Sequence, residues 1–445
     1  MSKTLIKGAN VVNEGQTASL DVLIVGERIA AVAANLTATT EMEVIDASGK
    51  FLLPGCIDDQ VHFREPGLTH KANIGTESKA CLAGGITSFL EMPNTNPQTT
   101  TAKAYRDKLD IAAQTSWANY GFLFGGTNDN LDEIKALDPK KTPGLKLFLG
   151  SSTGNMLVDD PNTLKEIFSA FRLPIAVHCE DEQTIRANLV DYVKKFGDDI
   201  PMAHHPDIRS DEACFLSSSK AIALAKETGA RLHVFHLSTA RETALFHNDV
   251  PLVEKQITSE VCIHHLWFSD DDYAHKGTHI KWNPAVKSAA DREGLWEALN
   301  DDRIDIIATD HAPHTLEEKN QVYTKAPSGG PMVQHALAVM LECVNQGKIS
   351  LEKVVEKMCH NPAILFSIKE RGFIRSGYYA DLVLVDANHE HTITRDNLLY
   401  KCGWSPLEGT TLRGVVTHTF LNGMLMYENG NIKQSNHAKP LNFNR

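Results

Sequence analysis

Between residue 55 and about residue 366 the chain alternates short apolar runs with helical stretches, and no other feature limits its fold so strongly. Eight runs read as strands: 57–62, 87–92, 119–124, 145–149, 175–178, 232–236, 256–263 and 304–309. Helical spacing falls between most of them, as at 72–83, 102–115, 162–170, 212–227 and 292–299. Parallel neighbours need a crossover long enough to hold a helix, so this alternation implies a parallel sheet. Eight strand–helix units predict an α/β protein, a (β/α)8 barrel. Such a barrel places its active site at the C-terminal ends of its strands. The glycine- and proline-rich stretch 325–331 follows the eighth strand and is placed to cover that mouth.

The two ends read differently. Residues 1–53 hold short strands at 4–7, 10–12, 20–25, 29–32 and 44–46, separated by glycine turns. Short strands recur at 372–375, 380–386, 415–421 and 424–427. A β piece of about 50 residues is too small for a good core of its own. The ends are therefore expected to fold together as one small β-sandwich, 1–53 with 372–445, and the barrel, 54–371, to be inserted between them.

Composition narrows the partners. A net charge of −12 over 445 residues argues against a nucleic-acid partner or an anionic membrane surface. No run reaches the ~18 apolar residues of a spanning helix, and the first residues lack an export signal. Eight cysteines without a Cys-x-x-Cys pair suggest reduced thiols in a cytoplasm. A small-molecule substrate is the expected partner. A homodimer is compatible with the chain, though nothing in the residues requires it.

The test of a barrel enzyme is whether polar residues gather at its strand ends, and here they do. In the segment 54–66, alternation puts Gln60, His62 and Arg64 on one face and leaves Ile57, Val61 and Phe63 to pack elsewhere. A buried polar trio is costly unless something offsets it, so this reads as the first ligand strand of a metal site. Metal sites of this type usually carry His-x-His here, whereas the chain has Gln-x-His. The second strand runs into Met92-Pro93-Asn94-Thr95. The fourth carries Lys146, the fifth ends in His178, the sixth in His236, and the eighth in Asp310-His311-Ala312-Pro313-His314. A lone histidine at a strand end is most often structural. Three histidines, a lysine and an aspartate at five strand ends are far more specific.

Lys146 stands among apolar neighbours, where an ammonium is poorly solvated. It either pairs with a carboxylate or turns neutral and takes up carbon dioxide, giving a carbamate able to bridge two metals. Imidazole and carboxylate donors suit zinc. Asp310 can bind metal with one oxygen and hold a proton with the other, as general acid/base. Metal binding lowers the pKa of a water to about 7 and makes it a nucleophile. Arg64 can clamp a carboxylate, with Asn94 and His314 as further donors. His311, Cys179, His233, His264 and His265 read as packing or supporting residues.

These residues resemble a known family. Pro54-Gly55 with Ile57-Asp58, the run His62 to Gly67, Gly84-Gly85-Ile86-Thr87, Met92 to Thr95 and Gly144-Leu145-Lys146 are similar to motifs of the cyclic amidohydrolases. So are His178-Cys179-Glu180, His236-Leu237-Ser238, Asn283-Pro284 and Asp310 to His314. Within that family the chain resembles the longer type of dihydroorotase. The resemblance implies zinc, one or two ions per chain, with carboxylated Lys146 as the bridging ligand. It implies His178 and His236 on one metal, and His62 and Asp310 on the other. Gln60, a neutral and weaker donor than histidine, leaves the second metal expected to bind weakly or in part. Arg64, Asn94, Asn283 and His314 would meet the substrate, and the loop with Pro327 and Gly329 would meet a pyrimidine ring. The implied reaction is the reversible cyclisation of N-carbamoyl-L-aspartate to (S)-dihydroorotate in pyrimidine biosynthesis, through metal-bound hydroxide and Asp310. The alternatives are an allantoinase or hydantoinase, and a non-catalytic subunit that supports aspartate transcarbamoylase.

Overall fold

The computed structural model describes residues 2–150 and 156–445. Its centre is a closed ring of parallel strands. Cys56–Val61, Ile86–Glu91 and Asn119–Phe122 pair in that order. Phe124–Gly125 carries the third strand across to Leu145–Phe148. Ile175–His178, Leu232–Val234, Ile257–Cys262 and Ile306–Ala308 continue the ring. It closes where the His62 amide donates to the His311 carbonyl at 2.7 Å. The expected (β/α)8 barrel is thus the observed architecture.

Helices cover the outside, and several start where capping chemistry directs. Asn73 and Thr76 form a capping box ahead of Ile74–Ala83. Ser210 caps Asp211–Thr228, which ends at Gly229 in the left-handed region. Helices Glu182–Phe196 and Ala336–Asn345 add to those expected from the sequence. No helix among the described residues is long and apolar enough to cross a membrane.

The two chain ends meet in one nine-stranded sheet. Phe51–Pro54 pairs antiparallel with Leu382–Thr392 and parallel with Lys3–Asn13, so strands of both ends lie side by side. The strand expected at 372–375 does not form. Asn13 holds that stretch instead, since its amide accepts from the Ile374 N–H and donates to the Ile374 carbonyl. A side chain there does the work of a ladder. The last residues leave the sheet, and Leu441 and Phe443 pack beneath the barrel against Leu90, Leu123 and Ile306.

The first barrel strand carries a bulge. Asp58 pairs with Phe89 and Val61 with Glu91, so three steps on one strand match two on the next. Asp58 holds it, with Oδ1 accepting from the Gln60 N–H at 3.2 Å and Oδ2 from the Thr309 hydroxyl at 2.6 Å. The extra residue switches the parity of the strand. Ile57 and Asp59 face the barrel interior before it, and Gln60 and His62 face the mouth after it. The expected alternation is therefore corrected at Ile57, which packs inside the ring.

Candidate active site

The barrel mouth encloses a cavity of about 150 Å³. Gln60, His62, Arg64, Asn94, Lys146, His178, His236, Asn283, Asp310, Pro327 and Gly329 all line it. Of the residues singled out in the sequence, only His314 stands one step back, behind Arg64.

Strands five and six end face to face. His178 Nδ1 lies 3.0 Å from His236 Nε2. The other nitrogen of His178 is 3.0 Å from Glu180 Oε2. Burial pushes Glu180 up, but Arg209 and His178 outweigh it and bring it down to about 2. An ionised carboxylate therefore stands against the His178 ring. Burial, then His178 and Lys146, hold His236 well below the usual histidine range. The His236 ring therefore stays neutral at physiological pH, the state that ligates metal.

Lys146 is 1% exposed, and its Nζ has no hydrogen-bond partner among the described residues. Its closest aromatic neighbour is the Phe235 ring, 3.9 Å away. Burial brings the ammonium down to about 7, so much of the side chain is a free amine at neutral pH.

Strands one and eight present a different face. His62 Nδ1 meets Asn94 Oδ1 at 2.8 Å, and its Nε2 meets Asp310 Oδ1 at 3.1 Å. Gln60 points into the mouth but is engaged sideways, its Oε1 accepting from the Cys262 thiol at 3.5 Å. His311 turns away to Glu77, at 2.9 Å.

Arg64 lies beyond the first strand with φ 67°. It donates through Nε to the Pro313 carbonyl, and its Nη2 lies 3.0 Å from His314 Nε2. Burial lowers Arg64 to about 10, so it stays charged. Lys71 stands 3.0 Å from His314 Nδ1 and bonds Glu318. The Asn283 Oδ1 is buried without a partner among the described residues. This corner offers a guanidinium in the cavity that the paired histidines also line, with an imidazole and an ammonium behind it.

Two lysines that the sequence does not single out hold the loop that lines the remaining side. Lys319 donates to the Pro327 and Gly329 carbonyls at 2.9 and 2.8 Å, and Lys281 to those of Tyr323 and Ala326. They pin the loop at the mouth. Gly329 has φ 123°, and a Cβ there would fall 2.5 Å from the Ala312 carbonyl oxygen, so only glycine fits. Nothing in the sequence separates these lysines from surface ones.

The Amidohydrolase family profile matches residues 51–426. A dihydroorotase of Halobacterium salinarum is 35% identical over 392 residues, 87% of this chain and 89% of that protein. An allantoinase of Desulfitobacterium hafniense is 31% identical over 441 residues, 96% of each. Further relatives at 31–34% identity carry the name dihydroorotase. In structure the chain is similar to an L-hydantoinase (dihydropyrimidinase) from Arthrobacter aurescens, with a TM-score of 0.94 and 28% identity, covering 99% of this chain and 100% of that one.

Proposed function

The chain belongs to the amidohydrolase family, and on that premise we propose that its barrel mouth performs the dihydroorotase reaction. That reaction is the reversible closure of N-carbamoyl-L-aspartate to (S)-dihydroorotate with loss of water. The chain is a metal-dependent cyclic amidohydrolase.

The donor set fits a metal. Two imidazoles face each other at 3.0 Å, and the amine of Lys146 is buried beside them without a partner among the described residues. His178, His236 and Lys146 would hold the first ion, with Lys146 carboxylated. His62 and Asp310 would hold a second, with Gln60 as a weak contributor. Imidazole and carboxylate donors suit zinc. When bound, such ions supply a Lewis acid for the ring carbonyl and a water that is nucleophilic at neutral pH.

The chain's own residues do the rest. Arg64 grips the ring carboxylate, assisted by His314 and by the amides of Asn94 and Asn283. Pro327 and Gly329 present backbone to the flat face of the ring. In hydrolysis Asp310 takes the proton of the attacking water and passes it to the ring nitrogen as the C–N bond breaks. In synthesis it returns that proton to the departing water. The enzyme would work in the cytoplasm, in accord with eight free cysteines.

One observation carries the substrate assignment: Arg64 lines the same cavity as His178 and His236, with His314 buried 3.0 Å behind it. Hydantoin lacks the carboxylate that such a corner recognises. Purified, zinc-loaded protein should interconvert dihydroorotate and carbamoyl aspartate and leave hydantoin and allantoin essentially untouched. Turnover of allantoin or hydantoin alone would overturn the assignment. No turnover of any of the three would point to a supporting subunit.

A further inference from the structure

One layer below the mouth, three ligand-bearing side chains converge inside the barrel. Asp59 comes from the bulge of the first strand, His233 from the sixth strand and Glu260 from the seventh. All three are 0% exposed. His233 Nε2 lies 3.4 Å from Asp59 Oδ2 and 3.3 Å from Glu260 Oε2, and the three ligand atoms all fall within 4.8 Å of one another.

Hydrogen bonding fixes a proton on one nitrogen of the histidine. Thr258 Oγ1 donates to the Leu232 carbonyl at 3.2 Å, so its proton is committed. It can then only accept from His233 Nδ1, which lies 2.8 Å away. With its proton on Nδ1, a neutral His233 turns the bare lone pair of Nε2 toward two carboxylates. Three electron-rich atoms then face one point, which either a cation or a proton on Nε2 shared with the two carboxylates would balance. Both oxygens of Asp59 lack a hydrogen-bond partner among the described residues. Glu260 uses Oε1 for the His236 N–H, at 3.3 Å, and leaves Oε2 for His233.

The arrangement has the form of a metal site. A histidine that ligates metal commonly donates its other ring N–H to a nearby acceptor, as His233 does to Thr258. Ligand atoms of a tetrahedral zinc at ~2.0 Å stand about 3.3 Å apart, close to the two separations measured from His233 Nε2. One imidazole and two carboxylates suit a zinc-like divalent cation. Charge points the same way. Lys146 and Glu260 feel each other's charge, and carboxylation of Lys146 would remove a positive charge and add a negative one.

We propose that Asp59, His233 and Glu260 form an inner divalent-cation site, separate from the mouth and made possible by the bulge that turns Asp59 inward. It lies beside the residue where the outer ligand pair is incomplete, so the chain that lacks a second histidine at Gln60 gains a carboxylate one position earlier.

The test uses the full chain loaded with zinc. Metal content after dialysis against a mild chelator is compared between wild type and Asp59→Asn, and an anomalous difference map is recorded at the zinc edge. One equivalent fewer in the variant, with an anomalous peak enclosed by the three side chains in wild type, is the expected result. Equal content and no peak there would overturn it. The three groups would then be balanced by a proton on His233: burial works against that charge, but Asp59 and Glu260 lift the ring to about 9. If Asp59→Asn fails to fold, the wild-type map alone decides. Metal missing at His178 and His236, with no turnover, would defeat the proposed function and leave the inner peak unaffected.

Discussion

The two sides of the barrel mouth carry similar donors in opposite states. On strands five and six, His178 and His236 face each other, with Glu180 against the first ring and a lysine amine without a partner among the described residues close by. On strands one and eight, His62 is already bonded to Asn94 and Asp310, and Gln60 to Cys262. One side is short of a positive centre, while the other has largely satisfied itself. Ligand type alone does not make a metal site; what each donor already touches decides how strongly it wants an ion. The first side should therefore hold its metal firmly and the second loosely.

The most severe way to break this contrast is His178→Ala. Metal-assisted stabilisation of transition-state charge amounts to several kcal/mol, and each 1.4 kcal/mol is tenfold in rate. Bound metal should fall to near zero, and turnover of dihydroorotate by about 10³ or more. Elemental analysis with steady-state assays checks both. Retention of full metal would mean that the His178–His236 pair is only a packing contact.

Asp310→Asn comes next, because it acts on the chemistry more than on the ion. Loss of a positioned proton carrier typically costs about 10²–10⁴ in rate. The loss should fall on kcat with little change in KM. Arg64→Met should show the reverse signature. Hydrogen bonds to charged groups contribute about 1.5–3 kcal/mol, so KM for dihydroorotate should rise roughly 10- to 150-fold. If KM for dihydroorotate does not move, the carboxylate is gripped elsewhere.

Lys146 gives the pH dependence. Its ammonium titrates at about 7, and only the neutral amine adds carbon dioxide. The neutral fraction rises through that value, so restoring activity to metal-stripped enzyme should speed up with pH. At fixed dissolved carbon dioxide, the rate at pH 8 should exceed that at pH 6 by about tenfold and then level off. A flat profile would mean that the lysine stays uncarboxylated.

Much of this was legible in the sequence, for a physical reason. A polar residue at the end of an apolar run is costly, so His62, Lys146, His178, His236 and Asp310 stood out against their strands. The barrel was legible because strand and helix periods differ. The bulge was not, because one inserted residue leaves no compositional mark and yet reverses which side chains face inward. Ile57 was misread for that reason, and Asp59 did not stand out at all. The lysines that pin the mouth loop escaped too, since Lys281 and Lys319 are buried by partners far along the chain. Leu441 and Phe443 gave no periodic signal, yet they close the barrel floor.

The mildest change bears most directly on the comparison. Gln60→His restores the missing imidazole on strand one and removes the acceptor that holds the Cys262 thiol. That hydrogen bond is weak, since a thiol is a poor donor at 3.5 Å, so stability should change little. The second ion should bind more tightly, and metal per chain after mild chelation should rise toward that of a fully ligated pair. Activity should move by only a few-fold, because His178, His236 and Lys146 already supply the committed side. Unchanged metal content would show that the His62–Asp310 contact, not the amide at Gln60, keeps the second side closed to an ion. His62 would then be the residue whose bonds to Asn94 and Asp310 must open before that side can fill.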